Sequence, residues 1–206
     1  MESVTPETAA QAPRLPVPCG VFVAVVGPSG AGKDTLIRYA WDRLSGEPSV
    51  VFVRRVITRA MDGTGEDHDT VDVEEFDRRE QNGEFALSWE AHGLRYGLPA
   101  RIDASIRSGM VAIANLSRAI VPLLGARYAN VRVVYVTASP ATLAARLAAR
   151  GRENEVEIRG RIARNSDAAL AVDGALVVDN DGPPEKAGEQ LVAIIRSSIR
   201  QTAEAH

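Results

Sequence analysis

Residues 21–35 of this chain read VFVAVVGPSGAGKDT, an apolar run followed by a glycine-rich loop and Lys33. Consecutive apolar residues are typical of a strand buried in a parallel sheet, and the residues after the loop favour a helix from Thr35 to about Leu44. A glycine, four residues and then Gly-Lys is the spacing of a loop that wraps backbone N–H groups around a triphosphate. The stretch therefore predicts a strand, a phosphate-binding loop and a helix whose N-terminus faces the same anion.

One position of this loop departs from the general pattern. Ser or Thr normally follows the lysine and holds Mg²⁺ through its hydroxyl, whereas this chain has Asp34 there. A triphosphate would repel a carboxylate unless a cation lay between them, so we expect Asp34 near Mg²⁺. The helix dipole alone also favours an acidic residue in a first turn, and this alternative stays open. The loop residues predicted to bind ATP are Gly27, Pro28, Ser29, Gly30, Ala31, Gly32, Lys33, Asp34 and Thr35.

Size and composition restrict the class of protein. The chain has 206 residues, of which 45% are apolar and 25% charged, as expected for one ordinary globular domain. A net charge of −3 argues against a general nucleic-acid binder, and no apolar run approaches the ~20 residues of a membrane span. The single cysteine excludes an internal disulfide, and the N-terminus lacks the layout of a signal peptide. We expect a cytoplasmic protein without nucleic-acid or membrane partners, of unknown oligomeric state.

Strand and helix patterns alternate after a proline-rich segment, residues 1–18, that predicts a flexible tail. Strands are predicted at 50–53, 111–114, 131–136 and 175–178, and helices at 73–81, 118–128, 139–149, 156–171 and 185–200. Residues 19–206 therefore predict a single α/β domain, with a mostly parallel sheet flanked by helices and ligands at the carboxyl ends of the strands. The polar residues from about 56 to 100 predict a small insertion that binds a second ligand.

Several segments resemble the guanylate kinase superfamily over nearly the whole chain after residue 20. They are the loop at 27–33, Thr58-Arg59, Gly83-Glu84-Phe85, His92-Gly93 and Tyr96-Gly97. The resemblance implies a P-loop nucleoside monophosphate kinase-like fold in which Arg59 and Tyr96 hold the acceptor phosphate, a role that suits a guanidinium fork and a phenol. It does not imply guanine recognition, because Leu87, Leu98 and Asn115 occupy the places of base-reading polar groups.

The segments that carry these replacements resemble a narrower family. Asp34 and the segments at 56–59, 86–89, 92–97, 115–118 and 151–154 are similar to the ribose 1,5-bisphosphate phosphokinases of bacterial phosphonate metabolism. This resemblance implies transfer of the ATP γ-phosphoryl group to the 1-phosphate of ribose 1,5-bisphosphate, which gives 5-phosphoribosyl 1-diphosphate. ATP and Mg²⁺ are then the cofactors, and the partner is a small sugar phosphate.

The second phosphate of such an acceptor needs its own positive charge. If the 1-phosphate lies on Arg59 and Tyr96, the 5-phosphate lies toward the vacated base pocket. The candidate cations or proton donors there are Arg95, Arg118, His92 and His68, and Asn115 and Ser117 are candidates to bond ribose hydroxyls. The alternative that Arg95 and Arg118 are solvated surface arginines stays open.

Arginines suited to the transition state lie in the second half of the chain. Phosphoryl transfer depends on placement and charge neutralisation, and an ionised acceptor phosphate needs no general base. In related kinases the region 146–164 is a helical lid over ATP, and the residues predicted to be catalytic are Lys33, Arg146, Arg150, Arg152 and Arg161. Neighbouring glutamates leave open an ordinary solvated face. Asn180 follows the last strand, where either a contact with adenine or a plain turn is expected.

Two other functions stay open. One is a guanylate kinase or another nucleoside monophosphate kinase, against which Leu87, Leu98 and Asn115 argue. The other is a non-catalytic guanylate-kinase-like binding module. Such modules have typically lost the loop lysine, which this chain retains as Lys33.

Overall fold

The computed structural model describes residues 19–58, 68–91, 93–149 and 174–204. The strands, in chain order, are Val21–Val26 (β1), Val50–Phe52 (β2), Arg55–Ile57 (β3), His68–Thr70 (β4), Phe85–Ala91 (β5), Leu94–Pro99 (β6), Val111–Asn115 (β7), Val131–Thr137 (β8) and Leu176–Asp179 (β9). The helices are Lys33–Leu44 (α1), Val73–Gln81 (α2), Arg101–Arg107 (α3), Val121–Arg127 (α4), Pro140–Ala149 (α5) and Pro184–Glu204 (α6), with a 3₁₀ turn at Arg118–Ile120. The tail, the helix predicted at 156–171 and most of the predicted lid lie outside the described residues.

A five-stranded sheet forms the centre of the fold, in the order β2-β7-β1-β8-β9. All of its neighbouring strands are parallel, as the sequence pattern predicts. Every residue of β1 is buried because helices cover both faces of the sheet. The carboxyl ends of the five strands therefore meet at one edge, where the loop at 27–32 begins.

The residues of β1 alternate between two apolar clusters. Val21, Val23 and Val25 pack with residues of α1 and α6 on one face of the sheet. Phe22, Ala24 and Val26 pack with residues of α3 and α4 on the other face. The helix predicted over 118–128 is divided, because Pro122 occupies the first turn of α4 and the residues before it form the 3₁₀ turn. Among the described helices, none is both long and apolar enough to cross a lipid bilayer.

A buried ion pair joins α3 to α4. Asp103 is 6% exposed, and it accepts hydrogen bonds from the guanidinium of Arg127 and, at 3.0 Å, from the hydroxyl of Tyr128. Burial and the neighbouring carboxylate raise the pKa of Tyr128 above its usual range. This pair fixes the helix that follows the insertion to the second face of the main sheet.

The insertion contains a second sheet that the sequence analysis missed. Its order is β4-β3-β6-β5, with β3 and β4 parallel and the other neighbours antiparallel. The sequence predicted only the helix over 73–81, which is confirmed as α2. Strands β3 and β4 have only three residues each, too few for a clear alternation of apolar and polar side chains, whereas β5 and β6 have seven and six residues and were not assigned to strands either.

The two faces of this insertion sheet have different neighbours. One face packs against α2, where Val56, Phe76 and Phe85 form a small apolar cluster. The other face carries Leu87, Leu98 and Trp89, which belong to the apolar cluster on the second face of the main sheet. The insertion is therefore attached to the main domain through the face opposite α2.

Candidate active site

The loop at 27–32 has a shape that only glycine permits at two positions. Gly27 has a φ of 144°, and a Cβ there would lie 2.1 Å from the carbonyl oxygen of Val136 on β8. Gly32 has a φ of 87°, and its Cβ would lie 2.4 Å from Nδ2 of Asn180. The loop is thus held tightly against the neighbouring strand ends, as a backbone cradle for phosphates requires.

Lys33 begins α1 and folds back over the loop. Its Nζ donates hydrogen bonds to the carbonyl oxygens of Gly27 and Pro28, each at 2.9 Å. These bonds hold the ammonium group at the mouth of the loop, beside the positive end of the helix dipole. One cation and a helix N-terminus therefore meet at the place where the sequence predicts the triphosphate.

Asp34 and Asn115 form a pair that the sequence did not predict. Nδ2 of Asn115 donates to Oδ1 of Asp34 at 2.6 Å, across 81 residues of sequence. Asn115 ends β7, the strand next to β1, so parallel topology brings it to the same edge as the phosphate loop. This signal was available, since polar residues after neighbouring parallel strands meet at one edge. Asn115, predicted to bond the ribose, thus contacts the residue predicted to lie near Mg²⁺.

This pair suits a magnesium ion whose other ligands are phosphate oxygens. Mg²⁺ with ATP is usually held by one or two carboxylates, by phosphates and by water rather than by a protein cage. Among the described residues, no group of three His, Cys, Asp or Glu side chains could hold a metal ion. Asp34 offers one carboxylate beside the loop, so the described residues are compatible with a magnesium ion held mainly by phosphates.

Asn180 is a support for the phosphate loop. Its side chain is buried, and Nδ2 donates to the carbonyl oxygen of Ala31 at 2.8 Å. Its backbone carbonyl accepts a hydrogen bond from Nη2 of Arg146 at 2.9 Å. A residue expected beside adenine or in a plain turn therefore joins the loop to the first predicted catalytic arginine.

Arg146 reaches the phosphate loop from α5. Its Nη1 lies 3.7 Å from the position that a Cβ on Gly32 would take. This nitrogen and Oδ1 of Asn180 are buried and have no hydrogen-bond partner among the described residues. A buried donor of this kind is costly to leave unpaired, and a phosphate oxygen is a suitable acceptor for it.

The loop after β9 is fixed to the start of α5. The carboxylate of Asp181 accepts a hydrogen bond from the backbone N–H of Ser139 at 3.0 Å. Hydrogen bonds from Thr142 and Ser139 lower the pKa of Asp181 below its usual range. This contact joins the segment that carries Asn180 to the helix that carries Arg146.

Tyr96 lies on the face of the insertion sheet opposite α2. It is stacked with its cross-strand partner Trp89, with ring centroids 5.3 Å apart and an interplanar angle of 8°. Leu87 and Leu98 are partners in the same two strands, and Leu98 is fully buried. The places where a guanine base would need polar partners therefore hold an apolar pair.

Arg95 lies on the other face of the insertion sheet, away from Tyr96. Adjacent strand residues point to opposite faces, and the guanidinium of Arg95 pairs with Asp77 and Glu80 and lies 4.5 Å from the ring centroid of Phe76. Two carboxylates of α2 thus compensate its charge. The structure therefore places the Arg95 guanidinium on the α2 face, whereas the sequence predicted it near the 5-phosphate.

The structure describes some of the other residues predicted to bind the acceptor. Ser117 is exposed and accepts from the N–H of Ala119 at 3.4 Å, so it caps the 3₁₀ turn. Arg118 follows it and buries one guanidinium nitrogen. The backbone of His68 lies in β4. Residues of the predicted site that lie outside the described part of the chain are Arg59, His92, Arg150, Arg152 and Arg161.

Comparison with known proteins gives consistent matches. A family model described as an AAA domain matches residues 22–168. The chain is 51% identical over 201 residues to "Ribose 1,5-bisphosphate phosphokinase PhnN" from Chelativorans sp. (strain BNC1), covering 96% of this chain and 95% of that protein. It is 46% identical to the protein of the same name from Agrobacterium fabrum, covering 86% and 97% respectively. The crystal structure of guanylate kinase from Anaplasma phagocytophilum aligns with a TM-score of 0.63 at 22% identity, covering 87% of this chain and 86% of that one, which confirms the fold.

Proposed function

Because the chain belongs to the ribose 1,5-bisphosphate phosphokinase family and its residues 22–168 to the AAA domain family, we propose that it transfers the γ-phosphoryl group of ATP to the 1-phosphate of ribose 1,5-bisphosphate. The product is 5-phosphoribosyl 1-diphosphate. The observation that carries this proposal is 51% identity along 96% of the chain. The retained Lys33, held over an intact phosphate loop, favours a catalyst over a binding module.

The residues at the loop suit the binding of a triphosphate. The backbone N–H groups of the loop, the N-terminus of α1 and Lys33 supply positive potential around the β- and γ-phosphates. When bound, Mg²⁺ neutralises charge that develops on the phosphates, and Asp34 with its partner Asn115 would hold it. Neither residue needs to change its protonation state during the reaction.

The transfer itself is an in-line displacement. An oxygen of the acceptor 1-phosphate attacks the γ-phosphorus, the bond from that phosphorus to the β,γ-bridging oxygen breaks, and ADP leaves with the bonding electrons. The attacking oxygen is ionised at neutral pH because the second pKa of a phosphate is about 6. The enzyme therefore needs no general base, and its task is to align the two phosphates and to compensate their charge.

Arg146 is the described residue best placed to compensate that charge. Its guanidinium lies against the phosphate loop and has one buried nitrogen directed at no described partner. Arg150, Arg152 and Arg161 would complete the cationic lid, and Arg59 and Tyr96 would hold the 1-phosphate. An arginine in such a position contributes by stabilising the transferring group, with a loss of orders of magnitude in kcat on its removal.

Turnover with a panel of acceptors tests the proposal. The pure protein is given ATP and Mg²⁺ with ribose 1,5-bisphosphate, ribose 5-phosphate, GMP or AMP, and ADP release is followed in each case. We expect turnover with the bisphosphate to exceed that with every other acceptor. Preferential turnover of GMP would instead make the chain a guanylate kinase, and the absence of both turnover and Mg²⁺-dependent ATP binding would make it a binding module.

A further inference from the structure

We propose that Arg55 is the residue that binds the 5-phosphate of the acceptor. The inference rests on the proposed function, which requires a sugar with a phosphate at each end. Neither the sequence pattern nor the family resemblance predicted a role for Arg55. It becomes a candidate only through the register of the insertion sheet.

The register places Arg55 on the same face as Tyr96. Ile57 is the cross-strand partner of Tyr96, and Arg55 lies two residues before Ile57 in β3, so the three side chains share a face. The guanidinium carbon of Arg55 lies 5.9 Å from the centroid of the Tyr96 ring. Tyr96 in turn stacks on Trp89. Arg55, Tyr96 and Trp89 thus form a row across β3, β6 and β5, which we call the acceptor row.

Position on the sheet distinguishes Arg55 from the other arginine of the described insertion strands. Of the two arginines in the described strands of the insertion, Arg95 lies on the α2 face and pairs with Asp77 and Glu80. Arg55 is therefore the only strand arginine on the face of Tyr96. Beside it, Leu87 and Leu98 offer no hydrogen bond to an anion, and a phosphate at that end would be costly to desolvate without a cation.

The cation–π contact with the Tyr96 ring also prepares the Arg55 guanidinium for a phosphate. An arginine over a ring keeps its planar face on the ring and its N–H groups directed outward at the edge. Those edge groups can form two parallel hydrogen bonds to one phosphate. With Tyr96 at the 1-phosphate, Arg55 lies one pleat further along β3, in the direction of Leu98 in β6, which occupies one of the base-reading places.

The two ribose monophosphates separate the binding of each end of the acceptor. Calorimetry measures ribose 5-phosphate and ribose 1-phosphate binding to the wild type, to Arg55→Gln and to Arg55→Lys. We expect Arg55→Gln to weaken ribose 5-phosphate binding by about 10- to 100-fold, as for loss of a charge-assisted hydrogen bond, and to leave ribose 1-phosphate binding nearly unchanged. Arg55→Lys should recover part of the loss, because it restores the charge but not the fork.

Arg54→Gln is the matched control, because Arg54 is the adjacent arginine, is exposed and lies 3.3 Å from Asp69. It should bind both monophosphates as the wild type does. Equal losses of both ligands in Arg55→Gln, a larger loss of ribose 1-phosphate, or no loss would each overturn the proposal. If Arg55→Gln does not fold, the same comparison with Arg55→Lys decides. Failure of the proposed function is separate, since it would appear as wild type that binds the monophosphates but does not convert the bisphosphate.

Discussion

Replacing Asn180 by alanine should loosen the phosphate loop without touching the nucleotide directly. The substitution removes the Nδ2 donor that lies 2.8 Å from the carbonyl oxygen of Ala31, a residue that is 0% exposed. A buried carbonyl left without its donor costs about 1–3 kcal/mol. For a chain of this length, about 2 kcal/mol lowers the melting temperature by about 4–8 °C.

The functional effect of Asn180→Ala should fall on ATP rather than on the acceptor. The loop is the predicted triphosphate site, and alanine keeps the backbone carbonyl that accepts from Arg146 but leaves it on a loosened segment. We therefore expect a higher KM for ATP, a lower kcat and little change in the KM for the acceptor. Steady-state kinetics with each substrate varied in turn, together with thermal melts with and without ATP and Mg²⁺, measure these quantities.

Val177→Thr is a suitable control for Asn180→Ala. Val177 lies three residues before Asn180 in β9, is 66% exposed and has a side chain that cannot form the loop hydrogen bond. Its melting temperature and its KM for ATP should match those of the wild type. If Asn180→Ala also kept both values, Asn180 would not support the loop, and the assignment of its hydrogen bond would be refuted.

Three further substitutions test other parts of the molecule. Lys33→Met should lower kcat by about 10²–10³-fold, as for loss of a preorganised donor. Its melting temperature should stay near that of the wild type. Normal turnover in a coupled ADP assay would contradict the role of the loop. Asp103→Asn should lower the free energy of unfolding, measured in urea, by about 3–5 kcal/mol. The reason is that Arg127 is only 12% exposed and would keep a buried, uncompensated charge. An unfolding free energy equal to that of the wild type would show that the pair is dispensable. The lowered pKa of Asp181 means that its contribution to stability is present above the ordinary carboxyl range and is lost as pH falls through the lowered pKa. Asp181→Asn should therefore lose less stability than the wild type as the pH falls through this range. An equal loss in both proteins would show that other groups cause it.

The sequence was sufficient for the parts of the fold that depend on local pattern. The apolar run of β1, the glycine spacing of the loop and the alternating strands and helices predicted the parallel sheet and its flanking helices. The short strands β3 and β4 carry no comparable local signal, and β3 pairs with residues up to 41 positions away in β6. The pairing of these two short strands therefore became visible only in three dimensions.

The site shows the same division between local and distant contacts. Lys33 was identified from its motif, whereas the partners of Asp34 and Asn180 lie 81 and 149 residues away in sequence. Arg95 was predicted near the 5-phosphate because that end of the acceptor needs positive charge. The carboxylates of Asp77 and Glu80, supplied by a helix that packs on the opposite face, determine its actual environment.

The most direct measurement is phosphorus-31 NMR of the products formed from ATP and ribose 1,5-bisphosphate. Transfer to the 1-phosphate joins two phosphorus atoms through one oxygen, so we expect two new mutually coupled resonances that rise together with those of ADP. The 5-phosphate resonance should remain a separate, uncoupled phosphoester. Release of ADP with inorganic phosphate as the only new signal, or coupled resonances on the 5-phosphate instead, would contradict the proposed transfer.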